Sequence, residues 1–254
     1  MLKIEESSMA NPLSFRERLM LLLIVLLTVT VYLQDSGYLR PGSPQRVIDR
    51  FHQLFYDSGV WGSTAWLGVP TAQNPNDAWI HQEIIAKVKP DVIVEAGTQY
   101  GGSAALWATI LEQVNPAGRV ITIDIKDQAG AAKNLPIVKE KVDFLIGSSA
   151  DPAIVAEVTR RVQGKKVLVI LDSDHRKDHV LAELKAYAPL VSKDSYLIVQ
   201  DTNVNGHPVW NSFGPGPMEA VEEFLAGNDQ FRPDREAERL MFTMHPNGYL
   251  KRVK

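Results

Sequence analysis

The chain has 254 residues and contains no cysteine. Disulfide bonds and thiolate metal sites are therefore excluded, and any bound metal must be held by oxygen or imidazole ligands. A chain without cysteine is compatible with a reducing compartment, and we expect a cytoplasmic location.

An excess of basic residues is also missing. The chain has 27 Lys and Arg against 30 Asp and Glu, which gives a net charge of −3. Proteins that bind nucleic acid usually present a basic face, so we expect no nucleic-acid partner. Internal repeats and low-complexity segments are absent too. The length suits one α/β domain with an extension and is sufficient to bury a full core.

A long apolar run of the kind that spans membranes is nearly absent. The stretch Leu19–Leu33 has no charged residue, and it falls at or just under the lower limit of about 17 residues for a spanning helix. No small-x-small cleavage site follows it, and flanking Lys and Arg are balanced. Two interpretations remain: an anchor on the cytoplasmic side of a membrane, or an apolar helix buried against the domain or in a homo-oligomer interface.

The dinucleotide motif G-x-G-x-x-G is missing, and residues 91–103 carry a different glycine pattern, E-x-G-x-x-x-G-G. An apolar run ending in Glu95 and closed by glycines predicts a buried parallel strand that enters a tight turn. The glycines let a ligand approach the backbone, and the following helix offers free N–H groups. The acid would repel a phosphate and favours a cationic or hydroxyl-rich ligand. S-adenosylmethionine is the leading candidate, and an NAD-dependent oxidoreductase is disfavoured.

From Asp91 onward apolar strands alternate with helices, which is typical of a doubly wound sheet. We predict strands at Val92–Glu95, Val120–Ile125, Val142–Ile146, Val167–Leu171, Tyr196–Gln200, Leu240–Met244 and Tyr249–Val253. We predict helices at Arg46–Tyr56, Ala78–Lys87 (capped by Asn76-Asp77), Ser103–Val114, Ala153–Gln163, Asp178–Ala188 and Met218–Leu225. The final strand pair favours a methyltransferase-type, Rossmann-like, mostly parallel seven-stranded sheet over a plain dinucleotide fold.

The composition along the chain divides it into three parts. Residues 1–40 form an N-terminal segment with the apolar helix, residues 41–77 a linker and lid-like segment, and residues 78–254 the catalytic domain. In the second part, Trp61 and Trp66 either line a substrate mouth or simply pack.

Ligands of open α/β sheets bind outside the carboxyl ends of the strands, so the polar residues there are candidates for binding. Asp124 ends the second predicted strand, where an acid can bind both ribose hydroxyls; the alternative is a helix cap or a loop acid. The predicted donor-binding set is Glu95, Gly97, Thr98, Gln99, Gly101, Ser103, Asp124, Ser148 and Asp172.

Asp172 and Asp201 follow two strands that we expect to be neighbours, so their carboxylates can converge. Carboxylate and amide oxygens suit Mg²⁺, and the predicted metal ligands are Asp172, Gln200 and Asp201. The alternative is that both acids cap the following helices.

His175 lies three residues beyond Asp172 in the same acidic cluster, and a neutral imidazole there is a candidate general base. Asp174 can orient His175, bind metal or cap the helix. His179 is expected at the surface. His207 either touches substrate or is a loop residue, and Trp210 and Phe213 are further candidates for the substrate pocket.

Three segments together resemble a known family: Leu171–Leu181, Asp201–Pro208 and Gly214–Ala220, supported by Trp79–Ile85 and the Glu95 glycine turn. They are similar to the cephalosporin hydroxylase/rhamnosyl O-methyltransferase family, from about Ala78 to the C-terminus. The resemblance implies a class I methyltransferase fold, S-adenosylmethionine, a divalent metal (usually Mg²⁺) and O-methylation of a hydroxyl on a sugar or a glycosylated natural product or lipid.

The resemblance also implies roles for single residues. Metal-dependent relatives have an acid at the position of Asp172, a Glu-Asp pair at the end of the fifth strand, and a base three residues after the first acid, which carries over to Asp172, Asp201 and His175. Gln200 departs from this pattern: it keeps a carbonyl oxygen but loses one negative charge, which weakens divalent-metal binding. A non-catalytic or weakly active binding or oligomeric protein of the same fold is therefore the alternative function. The oxygenase chemistry in the family's name needs an iron site, such as two His and one carboxylate, and no such set is evident.

Overall fold

The computed structural model describes residues 14–35 and 43–254. The chain divides into two units, Met1–Val47 and Ile48–Lys254. The predicted boundary between residues 40 and 41 lies outside the described residues, as do the polar residues 1–12.

In the first unit, helix α1 extends over Phe15–Asp35 and contains the apolar stretch. Its start is capped by Glu17, which accepts hydrogen bonds from the backbone N–H and the hydroxyl of Ser14, both at 2.7 Å. The hydroxyls of Thr28 and Thr30 donate to carbonyls one turn earlier. Among the described residues, no helix is both long and apolar enough to cross a membrane.

The second unit is built on a seven-stranded sheet. Five parallel strands, β3 to β7, are joined at one edge by the antiparallel strands β9 and β8, in the order β5-β4-β3-β6-β7-β9-β8. The strands are β3 Val92–Ala96, β4 Arg119–Asp124, β5 Val142–Ile146, β6 Val167–Leu171, β7 Tyr196–Val199, β8 Phe231–Pro233 and β9 Tyr249–Arg252. A separate short hairpin consists of β1 Ala65–Trp66 and β2 Val69–Pro70. The predicted doubly wound methyltransferase sheet is confirmed.

Helices cover both faces of the sheet. These helices are α3 Pro75–Val88, α4 Gly102–Val114, α5 Pro136–Lys141, α6 Pro152–Val162, α7 Lys177–Tyr187 and α8 Pro217–Ala226. A further helix, α2, extends over Pro44–Asp57. One core joins α6, α7 and α8 to alternate residues of β3 and β6, such as Val94 and Val169. The other core joins α3, α4 and α5 to the intervening residues, such as Ile93 and Leu168. Alternate residues of each central strand thus face opposite cores. Because both faces are buried, the central strands are apolar almost throughout.

Two local predictions are wrong. Leu240–Met244 is not a strand; the seventh strand is the short edge strand β8, and Met244 instead donates its N–H to Asp77 at 2.8 Å. Helix α3 begins at Pro75 and is capped by the side chain of Asn74, which accepts from the N–H of Asn76. Asp77, predicted as a cap, is buried within the domain.

Candidate functional site

The carboxyl ends of β3 to β7 open into one cavity of about 520 Å³. It is lined by most of the predicted donor-binding residues: Gly97, Thr98, Gln99, Ser103, Asp124, Ser148 and Asp172. His175 and Asp201 also line it, whereas Glu95, Gly101 and Gln200 do not. Most of the polar residues predicted at the strand ends therefore lie around the same cavity.

The glycines of the turn are required by the protein's own backbone. Gly97 has φ of 104°, and a Cβ there would lie 1.9 Å from the carbonyl oxygen of Asp172. A Cβ on Gly102 would lie 2.2 Å from the carbonyl oxygen of Pro70. The glycines therefore allow the turn to pass close to the ends of β6 and β2. Both also line the cavity, so the prediction that they let a ligand approach the backbone stays a prediction.

Glu95 lies beneath the turn and has no exposed surface. Its carboxylate accepts hydrogen bonds from Nε1 of Trp107 at 2.8 Å and the hydroxyl of Thr122 at 2.6 Å. Burial raises the pKa of this carboxyl group above its ordinary value. Glu95 supports the turn from within the core, and its side chain does not line the cavity.

Asp124 fixes the loop that follows β4. One carboxylate oxygen accepts the N–H of Gln99 at 2.8 Å and the other accepts the N–H of Lys126 at 3.0 Å. The same side chain lines the cavity. Asp124 is therefore a loop acid with bound amides whose side chain also lines the cavity, and its role toward a ribose stays a prediction.

Asp172, His175 and Asp201 meet at one point of the cavity, each offering one ligand atom within 4.8 Å of the others. Nε2 of His175 lies 3.1 Å from Oδ2 of Asp201. Burial raises the pKa of Asp172 well above its ordinary value, and the nearby carboxylates of Asp201 and Glu95 raise it further. A half-buried carboxylate beside two others favours a bound cation that would neutralise them.

Gln73 was not predicted as a site residue, although it lies behind this cluster and is hydrogen-bonded to it. Its Nε2 donates to Oδ2 of Asp172 at 3.1 Å and to Oε1 of Gln200 at 3.0 Å. Gln200 is a predicted metal ligand. Its side chain is 3 % exposed, and its Oε1 is turned toward Gln73 rather than the cavity. Gln73 lies in a loop without periodicity, so no sequence pattern marks it.

Two further residues near the cluster, Asp174 and His179, make defined contacts with other side chains. Asp174 accepts from the backbone N–H of Arg176 at 3.0 Å and pairs with its guanidinium, which lowers the pKa of Asp174 to about 2. It therefore stabilises the start of α7. His179, predicted at the surface, lines the cavity and contacts Ser149 at 3.2 Å and Glu183 at 3.4 Å.

Of the five residues predicted to contact the substrate, one lines the cavity and four contact other parts of the protein. Trp61 lines the cavity. Trp66 donates from Nε1 to Thr109 at 3.2 Å, and Trp210 stacks edge-on against Phe213. His207 contacts Glu219 at 2.9 Å. Of this set, only Trp61 is placed to touch a bound molecule in the cavity.

The side chains that meet at this point are suitable ligands for a hard divalent cation. Asp172 and Asp201 supply carboxylate oxygens, which such cations prefer, and His175 adds an imidazole nitrogen. Within the described residues, the side chain of Asp172 accepts a hydrogen bond from Gln73 alone, at Oδ2, so Oδ1 of Asp172 stays available. Gln200 adds no ligand in this arrangement, since its Oε1 accepts from Gln73.

Comparison with known sequences gives a consistent result. The family model for rhamnosyl O-methyltransferase/CmcI matches residues 58–253. Rhamnosyl O-methyltransferase of Mycobacterium tuberculosis (strain ATCC 25618 / H37Rv) is 40% identical over 216 residues, which cover 81% of this chain and 85% of that protein. The protein of the same name from Mycobacterium leprae (strain TN) is 36% identical over 214 residues, covering 81% and 90%.

Solved structures show the same fold. CmcI in its apo form matches with a TM-score of 0.59 and 20% identity, covering 76% of this chain and 77% of that one. CmcI with Mg and SAM matches with a TM-score of 0.59 and 18% identity, covering 76% and 78%. These similarities extend over most of the second unit.

Proposed function

The chain belongs to the rhamnosyl O-methyltransferase/CmcI family and is an S-adenosylmethionine-dependent O-methyltransferase; from this premise we propose that it methylates a hydroxyl of a sugar, on a glycolipid or a glycosylated natural product, with the help of a divalent cation. The names of its relatives, which refer to rhamnosyl acceptors, favour a rhamnose or a similar deoxysugar. The convergence of Asp172, His175 and Asp201 beside the glycine turn carries this proposal.

We assign the donor to the part of the cavity bounded by the glycine turn and Asp124. The lone pairs of Asp124 that do not bind Gln99 and Lys126 can accept hydrogen bonds from the two ribose hydroxyls. In the part of the chain that the structure describes, no side chain caps the start of α4, so the N–H groups after Gly101 can bind the donor's carboxylate. Ser148 bounds the same space from the end of β5.

We assign the metal to Asp172 and Asp201. Each has one carboxylate oxygen engaged, by Gln73 and by His175 respectively, and each keeps the other for a cation. Mg²⁺ needs few protein ligands and retains several waters, so two carboxylates suffice. When bound, such a cation supplies Lewis-acid chemistry that lowers the pKa of an acceptor hydroxyl. The structure of CmcI with Mg and SAM supports this assignment through its shared fold.

We assign the general base to His175. The tautomer that donates from Nε2 to Oδ2 of Asp201 leaves Nδ1 unprotonated and able to accept a proton. Asp201 then holds the ring in position and stabilises the imidazolium that forms. As the proton moves to His175, the acceptor oxygen attacks the methyl carbon and the sulfur–carbon bond breaks, leaving an ether and S-adenosylhomocysteine. Positioning and electrostatic stabilisation of the oxygen supply most of the rate.

The test is transfer of a labelled methyl group from S-adenosylmethionine to a panel of glycosides, with and without chelator. We expect label on rhamnosides or related deoxysugars, loss of transfer with chelator, and recovery with Mg²⁺. Binding of S-adenosylhomocysteine without transfer to any acceptor would contradict the proposal and favour the non-catalytic binding protein. Transfer that is unaffected by chelator would contradict the metal assignment alone.

A further inference from the structure

The segment Thr243–Gly248 lies directly behind the end of β7, where Asp201 enters the site. Three hydrogen bonds tie the two together on either side of Asp201. Val199 N donates to Gly248 O at 2.9 Å, Thr202 Oγ1 to Pro246 O at 2.6 Å, and Asn203 N to Met244 O at 3.2 Å. The C-terminal segment therefore supports the backbone of the site, although none of its residues lines the cavity.

Asp201 itself has an unfavourable backbone conformation. Its φ is 53°, in the left-handed region, which costs a residue with a side chain about 1–2 kcal/mol. Aspartate is one of the few residues with a side chain that adopts this region, usually where local hydrogen bonds hold it. Here the backbone N–H of Asp201 donates to Nδ1 of His245 at 3.0 Å. His245 is 2 % exposed, so water does not compete for this bond.

The contact requires one tautomer of His245. Nδ1 must be unprotonated to accept, so the proton is on Nε2, which lies 3.7 Å from Oδ2 of Asp77. Asp77 is held in turn by Asn74, Thr243, Tyr249 and the N–H of Met244. A buried carboxylate on this side of the ring favours the Nε2–H form.

We infer that His245 is a positioning residue for methyl transfer: its unprotonated Nδ1 holds the Asp201 N–H and fixes the left-handed turn that presents the Asp201 carboxylate to His175 and Asp172. The inference rests on the proposed function. It assigns a role in the site to a residue 44 positions after Asp201. A residue that merely filled the core would not depend on which ring nitrogen faces Asp201.

Two substitutions separate the roles of the two nitrogens. His245→Asn places an amide oxygen where Nδ1 lies and keeps the acceptor. His245→Gln places its polar end where Nε2 lies, near Asp77, and loses the acceptor. His81→Phe is the matched control, since His81 is a buried histidine in ring contact with His245 that makes no bond to Asp201.

The measurements on the full chain are Mn²⁺ affinity with S-adenosylhomocysteine present, kcat and KM for the donor, and hydrogen exchange of the peptide containing Asp201. For His245→Gln we expect Mn²⁺ affinity and kcat to fall about 10–100-fold, with donor KM nearly unchanged and faster exchange at Asp201. We expect His245→Asn to recover most of each loss and His81→Phe to behave as wild type.

Equal effects of His245→Asn and His245→Gln, or a fall in melting temperature with wild-type Mn²⁺ affinity and exchange, would overturn the inference. A wild-type protein that binds no Mn²⁺ and transfers no methyl group would overturn the proposed function and this inference with it. If a variant does not fold, exchange at Asp201 in the wild-type protein still decides the matter: exchange as fast as in an exposed loop overturns the inference.

Discussion

Gln73 donates from its Nε2 both to Oδ2 of Asp172, at 3.1 Å, and to Oε1 of Gln200, at 3.0 Å. The amide oxygen of Gln200 is thereby directed away from the cavity, and its Nε2 has no hydrogen-bond partner among residues 14–35 and 43–254. An uncharged residue at position 200 therefore has two consequences: it removes a negative charge from the site, and it links the cluster to the loop before α3.

The first prediction concerns the missing charge. Gln200→Glu should tighten Mn²⁺ binding by about tenfold or more, since a carboxylate at this buried position adds a negative charge near Asp172 that attracts the cation, although position 200 does not line the cavity. Titration calorimetry in the presence of S-adenosylhomocysteine measures this. Gln200→Met, of similar size and without an oxygen, is the control and should bind Mn²⁺ no more tightly than wild type. An unchanged affinity in Gln200→Glu would show that a charge at position 200 does not act on the metal site.

The second prediction concerns the general base. His175→Ala should lower kcat by about 10²–10⁴-fold, the usual contribution of a positioned base, while the affinity for S-adenosylhomocysteine stays at the wild-type value. His207→Ala, which removes a loop histidine paired with Glu219 outside the cavity, should retain wild-type turnover. A matching loss of product affinity in His175→Ala, measured by calorimetry, would count against the assignment.

The sheet could be predicted from the sequence because its central strands are buried on both faces. Val92–Ala96 and Val167–Leu171 are apolar almost throughout and end in glycine or acid, so their positions and parallel order follow from pattern alone. The strand at the antiparallel edge of the sheet, β8, could not be predicted. Phe231–Pro233 is short and contains proline, whereas Leu240–Met244 is apolar but is held as a loop by Asp77.

The same division applies to the site. Asp172, His175 and Asp201 could be predicted because strand-end residues of neighbouring parallel strands must meet. Gln73 and His245 could not, since they reach the cluster from loops 99 and 44 positions away in the chain, without any periodic signal. No described helix is long and apolar enough to cross a membrane, which does not support the predicted anchor. The role of Leu19–Leu33 as an oligomer contact stays a prediction.

A third prediction concerns the turn that carries the donor site. Gly97→Ala should destabilise the protein by about 3 kcal/mol or more, because a Cβ would lie 1.9 Å from the Asp172 carbonyl oxygen at a φ of 104°. Urea unfolding measures the difference. Gly130→Ala is the control, since a Cβ there meets no atom within 4 Å, and it should change stability by less than about 1 kcal/mol. Equal stability of the two variants would mean that the turn can move away from β6.

The last prediction concerns acid stability. His81 is fully buried against the rings of Trp107, His245 and Tyr249, and burial lowers its pKa from 6.5 to about 3. Between these values the unfolded chain binds a proton that the folded chain does not. The free energy of unfolding therefore falls as the pH decreases from about 6.5 to about 3, by up to about 1.4 kcal/mol per pH unit from this group.

His81→Phe keeps a ring of similar size and removes this proton uptake. Between pH 7.5 and pH 5 the variant should lose about 2 kcal/mol less stability than the wild type, as measured by urea unfolding at both pH values. His52, whose pKa burial lowers to about 4, should contribute a similar share, which His52→Phe would remove separately. An identical loss in His81→Phe and wild type would mean that the folded protein takes up a proton on this ring over the same pH range as the unfolded chain. Since the ring contacts His245, that proton would place a positive charge directly beside the residue that holds Asp201 in position.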